Sequence, residues 1–162
     1  MNINHTYAVS PSIWRTLAAC FYDTFLLFGL SCIVTMLALF LKTQLGPPID
    51  KTDIALNAIE QKLLLACVFL TIYAFFVYFW VSHGKTLGMQ TWKFIIVDHH
   101  GQSPSYKQAS IRFFTAIIAY GCFGIGVLWQ FIDPQQRTWQ DIVSNTLLRL
   151  ESETKASPIK KR

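Results

Sequence analysis

The run LLLACVFLTIYAFFVYFWVS, residues 63–82, contains no Asp, Glu, Lys, Arg or His. An α-helix crosses the ~30 Å hydrocarbon core of a bilayer with roughly 20 apolar residues, and this run has that length. Two other runs share the property: TFLLFGLSCIVTMLALFL at residues 24–41 and FFTAIIAYGCFGIGVLWQFI at residues 113–132. Three such runs in one short chain identify an integral membrane protein. The only acid that reads as embedded in a hydrophobic helix, Asp23, stands at the mouth of the first.

Composition agrees. Of 162 residues, 52% are hydrophobic and only 14% charged, which leaves no room for a second soluble domain of ordinary size. The expected fold is all-α: two transmembrane helices, a third hydrophobic helix or re-entrant hairpin, and a short β-pair at the cytoplasmic face. The expected division is an N-terminal arm at 1–10, a membrane domain at 11–150 and a basic, disordered tail at 151–162. Cys20, Cys32, Cys67 and Cys122 lie in or beside apolar runs, without CxxC spacing or neighbouring His. They read as buried thiols, with no disulfide framework, no metal site and no cofactor. The first run is too long for a signal-peptide core and has no Lys or Arg in the twelve residues ahead of the first helix, so no cleavage is expected.

Ser10-Pro11 suits a helix start, since Ser caps a free N–H and Pro has none to satisfy at the first helical position. A helix over 11–41 is longer than the bilayer core and must tilt, bend or lie partly in the interface. Asp23 is near the midplane if the span begins at Trp14, and at the surface if it begins at Thr24. Gly46-Pro47-Pro48 ends that helix, and residues 53–61 read as a short surface helix. After Ser82-His83-Gly84 the chain turns polar: residues 92–98, WKFIIVD, carry a strand signal, His99-His100-Gly101 a turn, and Ser103-Pro104 a helix restart. Gly121, Gly124 and Gly126 interrupt the third run, Asp133-Pro134 closes it, and residues 146–150 form a second strand candidate.

Lys and Arg counts bear on topology. If all three runs cross, five basic residues share the N-terminal side and nine the other. If the third dips in and returns at its glycines, only Lys42, Lys51 and Lys62 lie outside, and the other eleven lie inside with both termini. The second count gives the stronger positive-inside bias. Against it, 20 residues make two arms of only about 15 Å, and irregular backbone at that depth must be covered by protein or water.

An acid inside a membrane helix costs about 3 kcal/mol to insert and faces a bundle interior or wet cavity. Asp23 is therefore either a cation or proton site or one half of a structural pair with an Arg; Arg15, eight residues earlier, reaches it only obliquely, whereas Thr16 is almost directly above it. Gly84-Lys85-Thr86-Leu87-Gly88 resembles a phosphate loop, but GxxxxGK[ST] needs glycine at the position held by Phe79. The segment reads instead as a tight turn at the membrane surface, its N–H groups facing water or lipid phosphate. The histidines lack metal-ligand spacing and read as a solvated turn. No nucleophile–base arrangement emerges, and an enzyme is not expected. Nothing points to nucleic acid; Lys155, Lys160, Lys161 and Arg162 suit anionic lipid headgroups.

The chain resembles the RDD family of small membrane proteins over nearly its whole length. Trp14-Arg15-Thr16-Leu17-Ala18-Ala19 leading to Tyr22-Asp23 is similar to the family's Arg and Asp in the first helix. Gly84-Lys85-Thr86-Leu87-Gly88, followed by residues 92–97 and Gly101, is similar to its G-x-T-x-G turn and strand. Arg137-Thr138-Trp139-Gln140-Asp141, with Thr146, is similar to its closing segment. The chain departs in two places: family members often carry the Arg at the position of Thr16, and a His at that of Gln140. The resemblance implies an inner-membrane protein for which solute transport has been proposed, with sodium/proton exchange associated with some members. Arg15, Asp23 and Asp141 become the ion- or solute-binding candidates, Arg15 as counter-charge and Asp141 as gate or structural partner. Gly84, Thr86 and Gly88 become a structural turn. A chain with three runs and no internal repeat is small for a transporter, so a homo-oligomer is expected. The alternative is a non-catalytic scaffold or assembly factor in which Arg15, Asp23 and Asp141 form a polar lock.

Overall fold

The structure is a computed structural model that describes residues 10–45, 56–122 and 124–151. The expected arm, the loop around Gly46-Pro47-Pro48 and the basic tail fall almost wholly outside these residues. In chain order the elements are α1 (Ile13–Leu45), α2 (Ala58–His83), α3 (Leu87–Thr91), β1 (Phe94–Asp98), α4 (Tyr106–Gly121), α5 (Ile125–Leu128) with a 3-10 turn at Trp129–Phe131, α6 (Trp139–Ser144) and β2 (Thr146–Leu150). Helices α1 and α2 are each long and apolar enough to cross a membrane, and α4 with α5 forms a third apolar pair bent by 106°. The expected helical membrane fold with a small β-pair is what the chain adopts.

Contacts divide the chain into two compact units, Thr24–Phe75 and Met1–Asp23 with Phe76–Arg162. The first holds most of α1 and the first two-thirds of α2. Its large apolar side chains, among them Phe28, Ile33, Met36, Phe40 and Leu65, point outward, as suits a surface solvated by lipid tails. Ser31, Thr35 and Thr71 return their hydroxyls to the carbonyl four residues earlier, which satisfies them without a partner helix. The start of α2 is set by Asn57, whose side chain accepts from the N–H groups of Ile59 and Glu60, while Glu60 accepts from the Asn57 N–H and from Lys42 at 2.6 Å. The short helix expected over 53–61 is therefore, in its described part, the first turns of α2, because this cap places the start at Ala58.

The second unit holds the polar segments. Strands β1 and β2 pair antiparallel, with Phe94 opposite Leu150 and Asp98 opposite Thr146. This pairing joins the chain just before the third apolar run to the chain just after it. The chain between the two strands therefore doubles back on itself. The 106° bend serves that path. Gly124 makes the reversal at φ +75°, and Gly126 packs so closely on Ala119 that a Cβ would collide with that residue's side chain and backbone.

Two short helices were not read from the sequence. Helix α3 occupies what reads as a turn, and α6 what reads as an irregular polar segment, each too short for apolar periodicity to register. Both carry an N-terminal Thr, Thr86 and Thr138. The helix restart is shifted slightly, to Ser105, which with Gln108 forms a capping box for α4. Cys32, Cys67 and Cys122 are exposed rather than buried, a correction consistent with thiols that behave as small apolar groups facing lipid.

Candidate functional site

Helix α1 buries only Thr16, Ala19 and Asp23, residues that recur on one face. Against that face lies α3. Asp23 Oδ2 accepts from the Thr86 hydroxyl at 2.5 Å, and Oδ1 accepts from the Gly88 N–H at 2.9 Å. Thr86 in turn caps α3 by accepting from the Met89 N–H. A Cβ on Gly88 would run into the Ala19 carbonyl and the Asp23 carboxylate, so only glycine lets the two backbones approach this closely. Gly84, at φ +68°, accepts from the Ile96 N–H through its carbonyl and donates its own N–H to Trp80.

Each member of the Gly84, Thr86, Gly88 motif thus has a distinct task. Gly84 ties the turn to β1, Thr86 starts α3 and holds the acid, and Gly88 admits α1. The expectation that the N–H groups of both glycines face water or lipid phosphate is corrected, because a carboxylate and a carbonyl from the same chain occupy them.

Asp23 is 5% exposed, and among the described residues no cation pairs with it. Arg15, anticipated as its counter-charge, is exposed and takes part in none of the described ion pairs. The geometric reason is the oblique angle already evident in the eight-residue spacing. Thr16 holds the buried position above Asp23 instead.

The buried cation belongs to a different acid. Arg112 on α4, 2% exposed, donates through Nη1 to Asp141 Oδ1 and to the Thr146 hydroxyl, both at 2.6 Å. Asp141 Oδ2 accepts from the Thr138 N–H and hydroxyl, at 2.8 and 2.6 Å, which fixes the start of α6. Ser144 and Thr146 share a hydrogen bond of 2.6 Å. The Trp80 ring of α2 lies 5.8 Å from the guanidinium, within cation–π range. One ion pair therefore binds α4, α6 and β2 together beside α2, with both carboxylate oxygens occupied. Nothing in the local sequence singles out Arg112, since its partners lie 29 and 34 residues further along the chain.

Beyond α5, Arg137 Nε and Nη2 pair bidentately with Asp133 at 3.0 and 3.1 Å. Hydrogen bonds from the Arg137 side chain hold the Asp133 carboxyl below the usual carboxylate range and raise the guanidinium in return. The pair sets the turn into Thr138. Asp98 likewise accepts from the N–H groups of His100 and Gln102, which shapes the turn that displays His99 and His100 outward.

Long apolar helices, together with a polar segment folded on buried polar contacts, are those of a helical membrane protein. The RDD family profile matches residues 10–145, and the chain belongs to the RDD family. No curated protein and no solved structure matches it.

Proposed function

We propose that this RDD-family protein moves a small cation or proton across the membrane, with Asp23 as the group that takes it up. The observation that carries this reading is a carboxylate on a membrane helix, nearly fully buried, met among the described residues by a hydroxyl and an amide and by no cation. Such a group is stable either protonated or beside a cation, because its charge is desolvated and two neutral donors do not balance it. Each carboxylate oxygen accepts one of the bonds described and retains capacity for a second. In this reading Asp141, already neutralised by Arg112, is a structural partner, and Arg15 is a surface charge near the start of the helix. The protein is not an enzyme. It lies in the inner membrane with both termini in the cytoplasm, on the positive-inside count, its basic tail over anionic headgroups, and it works as a homo-oligomer.

The test is reconstitution in liposomes with an internal pH dye and external Na⁺, K⁺ or Li⁺. A cation-driven pH change present in the native protein and abolished in Asp23→Asn supports the proposal. Well-folded native protein that moves neither protons nor cations overturns it.

A second reading has its own support: Asp23, Thr86 and Gly88 join α1 to α3, much as Arg112 and Asp141 join α4 to α6. On that reading the protein is a membrane scaffold and Asp23 is a lock. Loss of folding in Asp23→Asn, at unchanged backbone sterics, would favour it.

A further inference from the structure

Hydroxyls on the long helices of this chain return to the backbone. Ser31, Thr35, Thr71, Ser110 and Thr115 each donate to the carbonyl four residues earlier, at 2.7 to 2.8 Å. Thr16 departs from this habit. It is 8% exposed, its hydroxyl is buried, and that hydroxyl has no hydrogen-bond partner among the described residues. The carbonyl four residues back, on Ser12, already accepts from the N–H groups of Arg15 and Thr16. A buried, unpaired hydroxyl is unfavourable, and in a native protein it calls for a partner such as a water.

What lies along the helix from Thr16 suggests that partner. Thr16, Cys20 and Asp23 stand at positions i, i+4 and i+7, on successive turns of one face of α1. Their Cα atoms rise by about 6 Å and then about 4.5 Å, a spacing that a water can bridge at each step. At the middle rung the Cys20 thiol lies 3.4 Å from the Tyr120 hydroxyl of α4. Hydroxyl, thiol with phenol, and carboxylate all carry or accept exchangeable protons. They are a poor set for a dehydrated metal ion, which needs several hard oxygen donors around it, whereas this row offers one carboxylate.

We propose that Thr16, the Cys20–Tyr120 pair and Asp23 form a ladder that delivers protons to Asp23 from the N-terminal end of α1. The inference rests on the reading of Asp23 as the uptake site and narrows the ion taken there to a proton. At each rung an arriving proton bonds to the oxygen or sulfur as that atom's own proton passes to the next water. The net result is one proton added to the Asp23 carboxylate, with no other bond changed. Release reverses the steps.

The test compares native protein with Thr16→Val, Thr16→Ser, Tyr120→Phe and Asp23→Asn in pH-dye liposomes, in H₂O and in D₂O, under an imposed pH gradient. Thr16→Val and Tyr120→Phe are expected to slow proton flux by about 10². Thr16→Ser is expected to keep the native rate, and native flux to fall in D₂O. Thermal unfolding of Thr16→Val at or above the native midpoint would exclude misfolding as the cause. Native flux from Thr16→Val and Tyr120→Phe, with none from Asp23→Asn, would overturn the ladder and leave Asp23 as the site. Equal slowing by Thr16→Ser and Thr16→Val would also overturn it, because the hydroxyl would then not matter. No proton flux from the native protein would overturn the ladder, and the cation-driven assay described above then decides the reading of Asp23.

Discussion

Two buried acids in one polar cap are held in different ways. Asp141 faces a guanidinium, one hydroxyl and one amide; Asp23 faces one hydroxyl and one amide. At Asp141 the charge is balanced and the geometry closes around it, joining three elements. At Asp23 the hydrogen bonds position the carboxylate while leaving its charge without a counter-ion among the described residues. Burial of an acid does not define its role; what balances the charge does.

This contrast can be broken most forcefully at the balanced site. Arg112→Ala or Asp141→Ala each leaves a buried charge alone, and each should lower stability by about 3 to 5 kcal/mol, read as a drop in the unfolding midpoint of purified protein in detergent. The double variant Arg112→Met with Asp141→Leu should cost less than the sum of the two single losses. Strict additivity would show that the pair does not act as a unit.

Gly88→Ala comes next, because the added methyl meets backbone and carboxylate rather than a flexible side chain. A loss of about 1 to 3 kcal/mol is expected from the forced separation of α1 and α3. If Gly88→Ala is as stable as the native protein, the close approach is not what fixes α3.

Asp23→Asn should produce a smaller stability change, about 1 kcal/mol or less, since the amide oxygen still accepts one of the two hydrogen bonds and no ion pair is lost. The sharp distinction is that this substitution removes ion uptake while the Arg112 and Asp141 variants act first on folding. An Asp23→Asn protein as unstable as Asp141→Ala would erase the contrast.

The smallest effect is at the surface pair. The Asp133 carboxyl is held below its usual range by Arg137, so its contribution to stability is present above the ordinary carboxylate range, near pH 4, and is lost as pH falls through its lowered folded value. Asp133→Asn should therefore flatten the acid limb of a stability-against-pH curve only slightly, and leave it unchanged at neutral pH apart from a loss of at most about 1 kcal/mol.

Much of the fold is legible in the residues. Uninterrupted apolar runs mark α1 and α2 because lipid imposes their length, and the β-branched and aromatic run at 92–98 marks β1 to within two residues. Helices α3 and α6 are not legible by periodicity, being one or two turns long; the Thr138-x-x-Asp141 spacing is the local signal of α6. Asp23 and Asp141 stand out as acids in motifs. Arg112 does not, because a lone arginine at the head of an apolar run looks the same whether it faces headgroups or a buried acid.

The sequence by itself determined that the chain lives in a membrane, where its long apolar runs lie, and which acids are unusual, since these follow from hydrophobic length and local motif. Tertiary structure alone decided which charge meets which. The pairing of β1 with β2 brings together the segments that flank the third apolar run, and the packing of α4 on α6 gives Arg112 to Asp141 and leaves Asp23 to Thr86 and Gly88. Those contacts join residues 29 to 65 positions apart, and no local pattern in the chain records a distance that only folding creates.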